Sequence, residues 1–379
     1  MIYLDYNAMA PLAPECKNVL IGYLESGWAN PSSKHEAGEH AKTAVNMARA
    51  QVARLLNAAP AEIVFTSGGT ESNHQAILGT LALQKHRRHV VTSAVEHPST
   101  LQLLSHLERT QDVRVTRLPV DAQGRLDPAQ LDAVVTEQTA LVTLLWANNE
   151  TGVLFPIQQI ARRAKAKGAL FHTDAVQAIG KLPVDLAHLD VDLLSLSGHK
   201  IHGPPGVGAL FVRKGIKLPP LLHGHQERGR RGGTENVPGV VALGVACELA
   251  RATLHEDVCR IGILRDYLER GVRQRFPFAT INGGEAERVS NTSNIRFAGL
   301  DGDFIVNQLG RLGVCVSQGA ACSAWGSDPS HVLTAMGLDE KSALASLRFS
   351  LGRYTTVAQI DVVLGMLTNI LADPAGAAA

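Results

Sequence analysis

Lys200 stands in "SLSGHKIHGPPGVG", between His199 and a run of glycines and prolines. A solitary lysine is ordinarily a solvated surface charge. The residues before this one point elsewhere. "VDLLSLS" is an apolar run of buried-strand length, so Lys200 sits just past a strand's carboxyl end, where open α/β sheets bind ligands. An amine held there can join a carbonyl covalently or move a proton.

Other strand ends also finish in polar residues. In "FTSGGTESNHQAILG" a strand meets a Gly-Gly turn and then a helix opening at about Thr70. Free backbone N–H groups and the helix dipole make such a corner an anion site. The plainer use is a helix cap by Thr70 or Ser67. It is not a P-loop, because the GK[ST] ending is absent. "HTDAVQAIGK" sets Asp174 at the end of another buried strand, either as an N-cap or as a carboxylate for a protonated heterocyclic nitrogen. Gln177, three residues on, falls on the same face of the next turn. "LLWANNETG" ends in Asn148 and Asn149, common turn formers, and "TSAVEHPST" carries His97, which a loop can satisfy by itself. Singly, each residue has an ordinary structural use. Together they gather an anion corner, a carboxylate, a histidine, amides and Lys200 at one sheet edge, with Ser197 and His199 beside the lysine. One cofactor uses that whole set: pyridoxal phosphate. Its phosphate takes the helix corner, its pyridinium nitrogen Asp174, and its aldehyde Lys200 as a Schiff base.

A sheet must position these residues, and the rest of the chain supplies one. In "HEAGEHAKTAVNMARAQVARLLNA", Ala41, Val45, Ala48, Val52 and Leu55 recur at 4-3-4-3 spacing, a single buried stripe on a helix. The apolar runs "EIVFTS", "HVVTS", "VRVTRLPV", "LVTLLWANN", "ALFHTD", "DLLSLS" and "GVGALFV" follow, most of them separated by alanine-rich segments of helical length. That alternation predicts an α/β fold with a mainly parallel sheet covered by helices on both faces. A long helical pattern from Val240 to Phe276 ends it. Beyond, "NTSNIRF", "VCVS" and "SLRFS" alternate with helical segments as a smaller α+β unit. The expected division is a large domain over 15–255 and a small domain from 1–14 and 256–379.

The 379 residues carry a formal net charge of +1, which favours neither nucleic acid nor an anionic membrane as partner. "MIYLDYNAMAPLAPE" lacks the basic-then-apolar order of a signal peptide, and no apolar run suggests a membrane span. Five scattered cysteines without a CxxC pair argue against a disulfide framework or zinc ribbon, so a reduced, cytoplasmic protein is expected. Cys315, in the apolar "GVCVS", reads as a core cysteine. Cys322, in "VSQGAACSAWGSDPS", does not: the small residues around it predict a mobile loop. His223-Gly-His225 lacks further ligands, and no metal is expected. The final "LADPAGAAA" is expected to fray and to offer little for docking a partner.

From "YLDYNA" to "LRFSLGRYTT" the sequence resembles the cysteine desulfurases of the NifS/IscS type, in the class V branch of the fold-type-I pyridoxal phosphate enzymes. The landmarks are "NPSS", "FTSGGTES", "EHPS", "NNETG", "HTDAVQ", "SGHKIHGPPGVG", "ERGRRGGTENV", "QGAACS" and "RFSLGR", in that order. The resemblance implies that Lys200 is the Schiff-base lysine, that Asp174 pairs with the pyridine nitrogen and that His97 stacks on the ring. It sets Gln177 and Asn149 toward the phenolic oxygen, and Gly69, Thr70, Ser197 and His199 around the phosphate, with Thr234 coming from the other subunit of a homodimer. It makes Cys322 the nucleophile on an extended loop and Arg348 the partner of the substrate carboxylate, with Asn7 and Asn149 also on the substrate side. The usual "ATTP" is "AMAP" here, from Ala8 to Pro11, and "HGHQE" replaces a more glycine-rich run.

The implied reaction converts L-cysteine to L-alanine and leaves the sulfur on Cys322 as a persulfide for an acceptor protein, in iron–sulfur cluster or thio-cofactor biosynthesis. A selenocysteine lyase or aminotransferase of the same fold is the alternative within the class. A non-catalytic sulfur-relay scaffold is the alternative outside it.

Overall fold

The computed structural model describes residues 1–319 and 328–372. Cys322 and the tail from 373 onward lie outside the described residues. The strands, in chain order, are β1 (Ile2–Tyr3), β2 (Ile63–Thr66), β3 (His89–Ser93), β4 (Arg114–Leu118), β5 (Thr139–Leu145), β6 (Leu170–Asp174), β7 (Leu193–Ser197), β8 (Gly208–Val212), β9 (Ala279–Asn282), β10 (Thr292–Phe297), β11 (Val314–Cys315) and β12 (Ser346–Ser350).

The seven apolar runs form one sheet in the order β2-β8-β7-β6-β5-β3-β4. β8 is antiparallel to both its neighbours, and the other pairs are parallel. Strands β2, β3, β5, β7 and β8 are buried at every position, as a sheet covered on both faces requires. β2, β3, β5, β6 and β7 therefore end at the same edge, and the polar residues that follow them converge there. A second, antiparallel sheet of order β12-β10-β9 and the short parallel pair β1-β11 complete the strands among the described residues.

The helix Glu36–Leu56 buries the expected stripe and lies along the helix Val237–Arg275. Gly244 permits that approach: a Cβ there would sit 2.8 Å from the Cα of Ala48. Val237–Arg275 runs 39 residues, and an 18-residue window of it reaches a mean hydropathy of 1.5, long and apolar enough to cross a membrane. This differs from the sequence reading, which found no such run. Half of that window is buried inside the protein. Its first half joins the core under the large sheet through Val240, Leu243 and Ala246. Its second half joins a separate core through Leu264, Leu268 and Val272, against Ile295, Phe297 and Phe349. Leu4 packs in the second core with the rest of the expected small unit, whereas Ala13, Val332 and Leu333 pack across the expected limits in the first.

Cys315 is a correction. It is only half-buried, on the two-residue edge strand β11. Among the described residues, the fully buried cysteines are Cys16 and Cys247, and burial pushes the Cys16 thiol up to about 11.

Candidate active site

The shared strand edge opens on a cavity of about 270 Å³. Among the described residues, every sequence-derived candidate except Thr234 lines it.

One wall is the anion corner. The helix Gly69–Leu83 starts after Gly68, whose φ of 152° suits glycine and whose lack of a side chain leaves no cap. Thr70 lies within the first turn, and Ser67 gives its N–H to Glu71 Oε2 at 2.8 Å, so the cap alternative does not form. A Cβ on Gly69 would lie 2.8 Å from Val176 Cγ2, so only glycine fits that wall without displacement. Opposite, Ser197 Oγ and His199 Nδ1 are 2.9 Å apart. Burial, with Lys200 nearby, pushes His199 down to about 4, which keeps it neutral at pH 7.

Asp174 ends β6 and is followed by a turn, not a helix, so it is no N-cap. Its Oδ1 accepts from the Val176 N–H at 3.0 Å and its Oδ2 from Asn73 Nδ2 at 2.7 Å. His97 caps the helix Pro98–Thr110, its Nδ1 accepting from the Ser99 N–H at 3.1 Å. That bond leaves the neutral ring's proton on Nε2. Burial lowers the His97 pKa; Asp174 opposes the shift, and Lys200 and His331 add to it.

Lys200 ends the short turn Gly198–Lys200 after β7. Its Nζ donates to the carbonyl oxygens of Asn7 at 2.6 Å and Ala8 at 2.7 Å. The Asn7 side chain is fully engaged: Nδ2 donates to Asn149 O and Thr292 Oγ1, and Oδ1 accepts from Lys181 and Asn291. A substrate contact by Asn7 would have to replace one of these bonds. Asn148 has the turn-forming role, its Oδ1 accepting from the Glu150 and Thr151 N–H groups, while Asn149 faces the cavity.

Arg348, on β12, is 1% exposed and pairs with Asp5 Oδ1 at 2.6 Å and Asn149 O at 3.1 Å. Among the described residues, its buried Nε has no protein partner. Thr234 is exposed and lines a different cavity, of about 170 Å³, with Arg231. Cys322 lies outside the described residues, but the flanking chain reaches the site. Ser330 Oγ donates to Glu150 Oε2 at 2.5 Å, and His331 Nε2 lies 2.9 Å from the carbonyl oxygen of Glu96, the residue before His97.

Sequence reasoning missed Asp5, Asn73 and Lys181. Asn73 follows Thr70 by three residues on one helix, so helical spacing could have found it, whereas Lys181 lies in a turn and carries no such signal. Asp5 carries no such local signal for a partner at position 348.

A family model described as aminotransferase class-V matches residues 2–363. Cysteine desulfurase 2 of Trichormus variabilis is 49% identical over 98% of this chain and 93% of its own length. The chain belongs to the cysteine desulfurases of the class-V aminotransferase family. A solved NifS-like protein superimposes on it with a TM-score of 0.92 at 35% identity, covering 98% of this chain and 99% of that one. SspA, solved in complex with cysteine, gives 0.81 at 36% identity over 94% of this chain and all of its own. In this cysteine desulfurase the "AMAP" stretch forms part of the cavity rim. Ala8 lines the cavity, Met9 is exposed, and Ala10 is buried with its N–H on the carbonyl of His199 at 2.9 Å.

Proposed function

We propose that the chain uses pyridoxal phosphate to turn L-cysteine into L-alanine, with the sulfur passing to Cys322 as a persulfide. The observation that carries this reading is the convergence of Lys200, Asp174, His97 and Arg348 on one cavity. The donor set fits the cofactor. Gly69, Thr70, Ser197 and His199 would hold its phosphate, Asp174 its ring nitrogen, and Gln177 and Asn149 its phenolic oxygen. When bound, the cofactor supplies an electron sink for the substrate's α-carbon.

The chain's own residues supply the rest. Arg348 binds the substrate carboxylate, a task suited to its planar fork, and its unpartnered Nε supports that role. Lys200 moves the proton at the α-carbon. His97, neutral near pH 7, exchanges a proton at the substrate sulfur through Nε2. The Cys322 thiolate attacks that sulfur; the S–S bond forms, the Cβ–S bond breaks, and the carbon skeleton leaves as alanine after taking up protons. Reduced thiols at the described cysteines are compatible with a cytoplasmic setting.

Thr234's place outside the cavity is what a shared site in a homodimer would need, with Thr234 reaching the partner's phosphate. Two cores joined by Val237–Arg275 support a large unit over 15–255 and a small one from 1–14 and 256–379. A persulfide acceptor, in iron–sulfur or thio-cofactor assembly, takes the sulfur. The test is Cys322→Ser. The variant should still change the visible spectrum on adding cysteine, yet form no protein persulfide. Undiminished sulfide release would move the nucleophile to another residue.

A further inference from the structure

Lys181 is a buried amine that no step above uses. It follows the turn after β6, four residues beyond Gln177. Its Nζ donates to Gln177 Oε1 at 2.6 Å and to Asn7 Oδ1 at 2.9 Å. Burial holds its pKa well below the ordinary lysine value, and Lys200 and Arg348 add to the shift. A small cavity of about 50 Å³ is lined by both Lys181 and Lys200.

The two bonds fix two amides. Even a neutral amine keeps two N–H bonds, enough for both oxygens. With its oxygen on Lys181, Gln177 turns its Nε2 to the carbonyl of Asn7 at 2.9 Å, and the second N–H of that nitrogen belongs to a residue lining the main cavity. Asn7, held the same way, presents its carbonyl to Lys200 Nζ. A donor bonded to an amide oxygen also polarises the amide and strengthens its N–H.

We propose that Lys181 is a positioning residue for the cofactor–Lys200 linkage: it locks the Gln177 amide nitrogen toward the ring oxygen and the Asn7 carbonyl toward Lys200. This rests on the cofactor reading above. A donor on the ring oxygen or a nearby cation lowers the pKa of the linkage nitrogen; the Asn7 carbonyl, an acceptor, works the other way and only partly offsets it. The other charged or titratable groups facing this corner among the described residues are His97, His199, Asp174, Arg348, Tyr6, His202, Asp257 and Arg353, and the test leaves them in place.

The test is the pH midpoint of the visible band in the full-length protein loaded with pyridoxal phosphate. In Lys181→Met the midpoint should rise by about one unit, with kcat about tenfold lower and KM nearly unchanged. Lys181→Arg, which keeps donors, should shift it less. In a Gln177→Ala background, Lys181→Met should add a smaller second shift. If Lys181→Met cannot be loaded, Lys181→Ala gives the same reading, because it too carries no donor for either oxygen. A wild-type band whose midpoint ignores Lys181 substitutions, even with reduced kcat, overturns this inference alone. A wild-type protein with no visible band overturns the cofactor reading and this inference with it.

Discussion

Asn73 Nδ2 donates to Asp174 Oδ2 at 2.7 Å, and the same NH₂ group reaches Ser99 Oγ at 3.1 Å. Ser99 Oγ in turn lies 2.8 Å from His97 Nδ1. The carboxylate at the end of β6 and the histidine after β3 thus belong to one chain of bonds. Asn73→Ala removes its centre and leaves a buried carboxylate short of a donor. Alanine formation should fall about ten- to a hundredfold, since a hydrogen bond to a charged group contributes about 1.5–3 kcal/mol. Steady-state kinetics at saturating cysteine check this. Unchanged turnover would mean that Asp174 is held well enough by the Val176 N–H.

Lys200→Ala should give a protein whose cofactor shows no band from a lysine linkage. Alanine formation should drop by about 10³-fold or more, because a covalent partner and a proton carrier are lost together. Absorbance after dialysis against pyridoxal phosphate, with quantified alanine, decides it.

Arg348→Lys keeps the charge and discards the planar fork that now serves Asp5 and Asn149. KM for cysteine should rise about tenfold, with a smaller change in kcat. A change confined to kcat would assign the substrate carboxylate to another group.

His172 is fully buried between Thr143 Oγ1 at 2.8 Å and Ser195 Oγ at 2.9 Å, and burial pushes it down to about 4. A histidine held neutral binds its proton more readily in the unfolded chain. Its contribution to stability is therefore complete above the unfolded value near 6.5 and is lost as pH falls toward 4, about 3 kcal/mol in all. Glu96, pushed up to about 8 by burial, has the opposite slope, losing stability as pH rises from about 4.5 to 8. The difference between wild type and His172→Gln isolates the histidine. The variant's Tm should decline less between pH 7 and pH 5, and parallel curves would refute the assignment.

Most strands of the large sheet could be read from the sequence because, buried on both faces, they are near-continuous apolar runs; the edge strand β4, exposed at Arg114 and Arg117, is the exception. β1 and β9 could not: one has two residues, and the other mixes exposed and buried positions. Lys200, Asp174 and His97 were legible because each follows such a run. Lys181 was not, since a lysine in sequence reads as a surface charge and only the tertiary packing buries it. The pairing of Asp5 with Arg348 spans 343 positions and leaves no local trace. Cys315 misled because "GVCVS" is apolar, whereas a two-residue edge strand has neighbours on few sides.

The helix Val237–Arg275 extends roughly 58 Å at 1.5 Å per residue, with one end in each hydrophobic core. Neither core can melt without releasing half of the same rod. Heating should therefore produce one cooperative transition, with matching midpoints for probes placed in either core. A helix-breaking proline near its middle, as in His255→Pro, should uncouple them and split that transition into two.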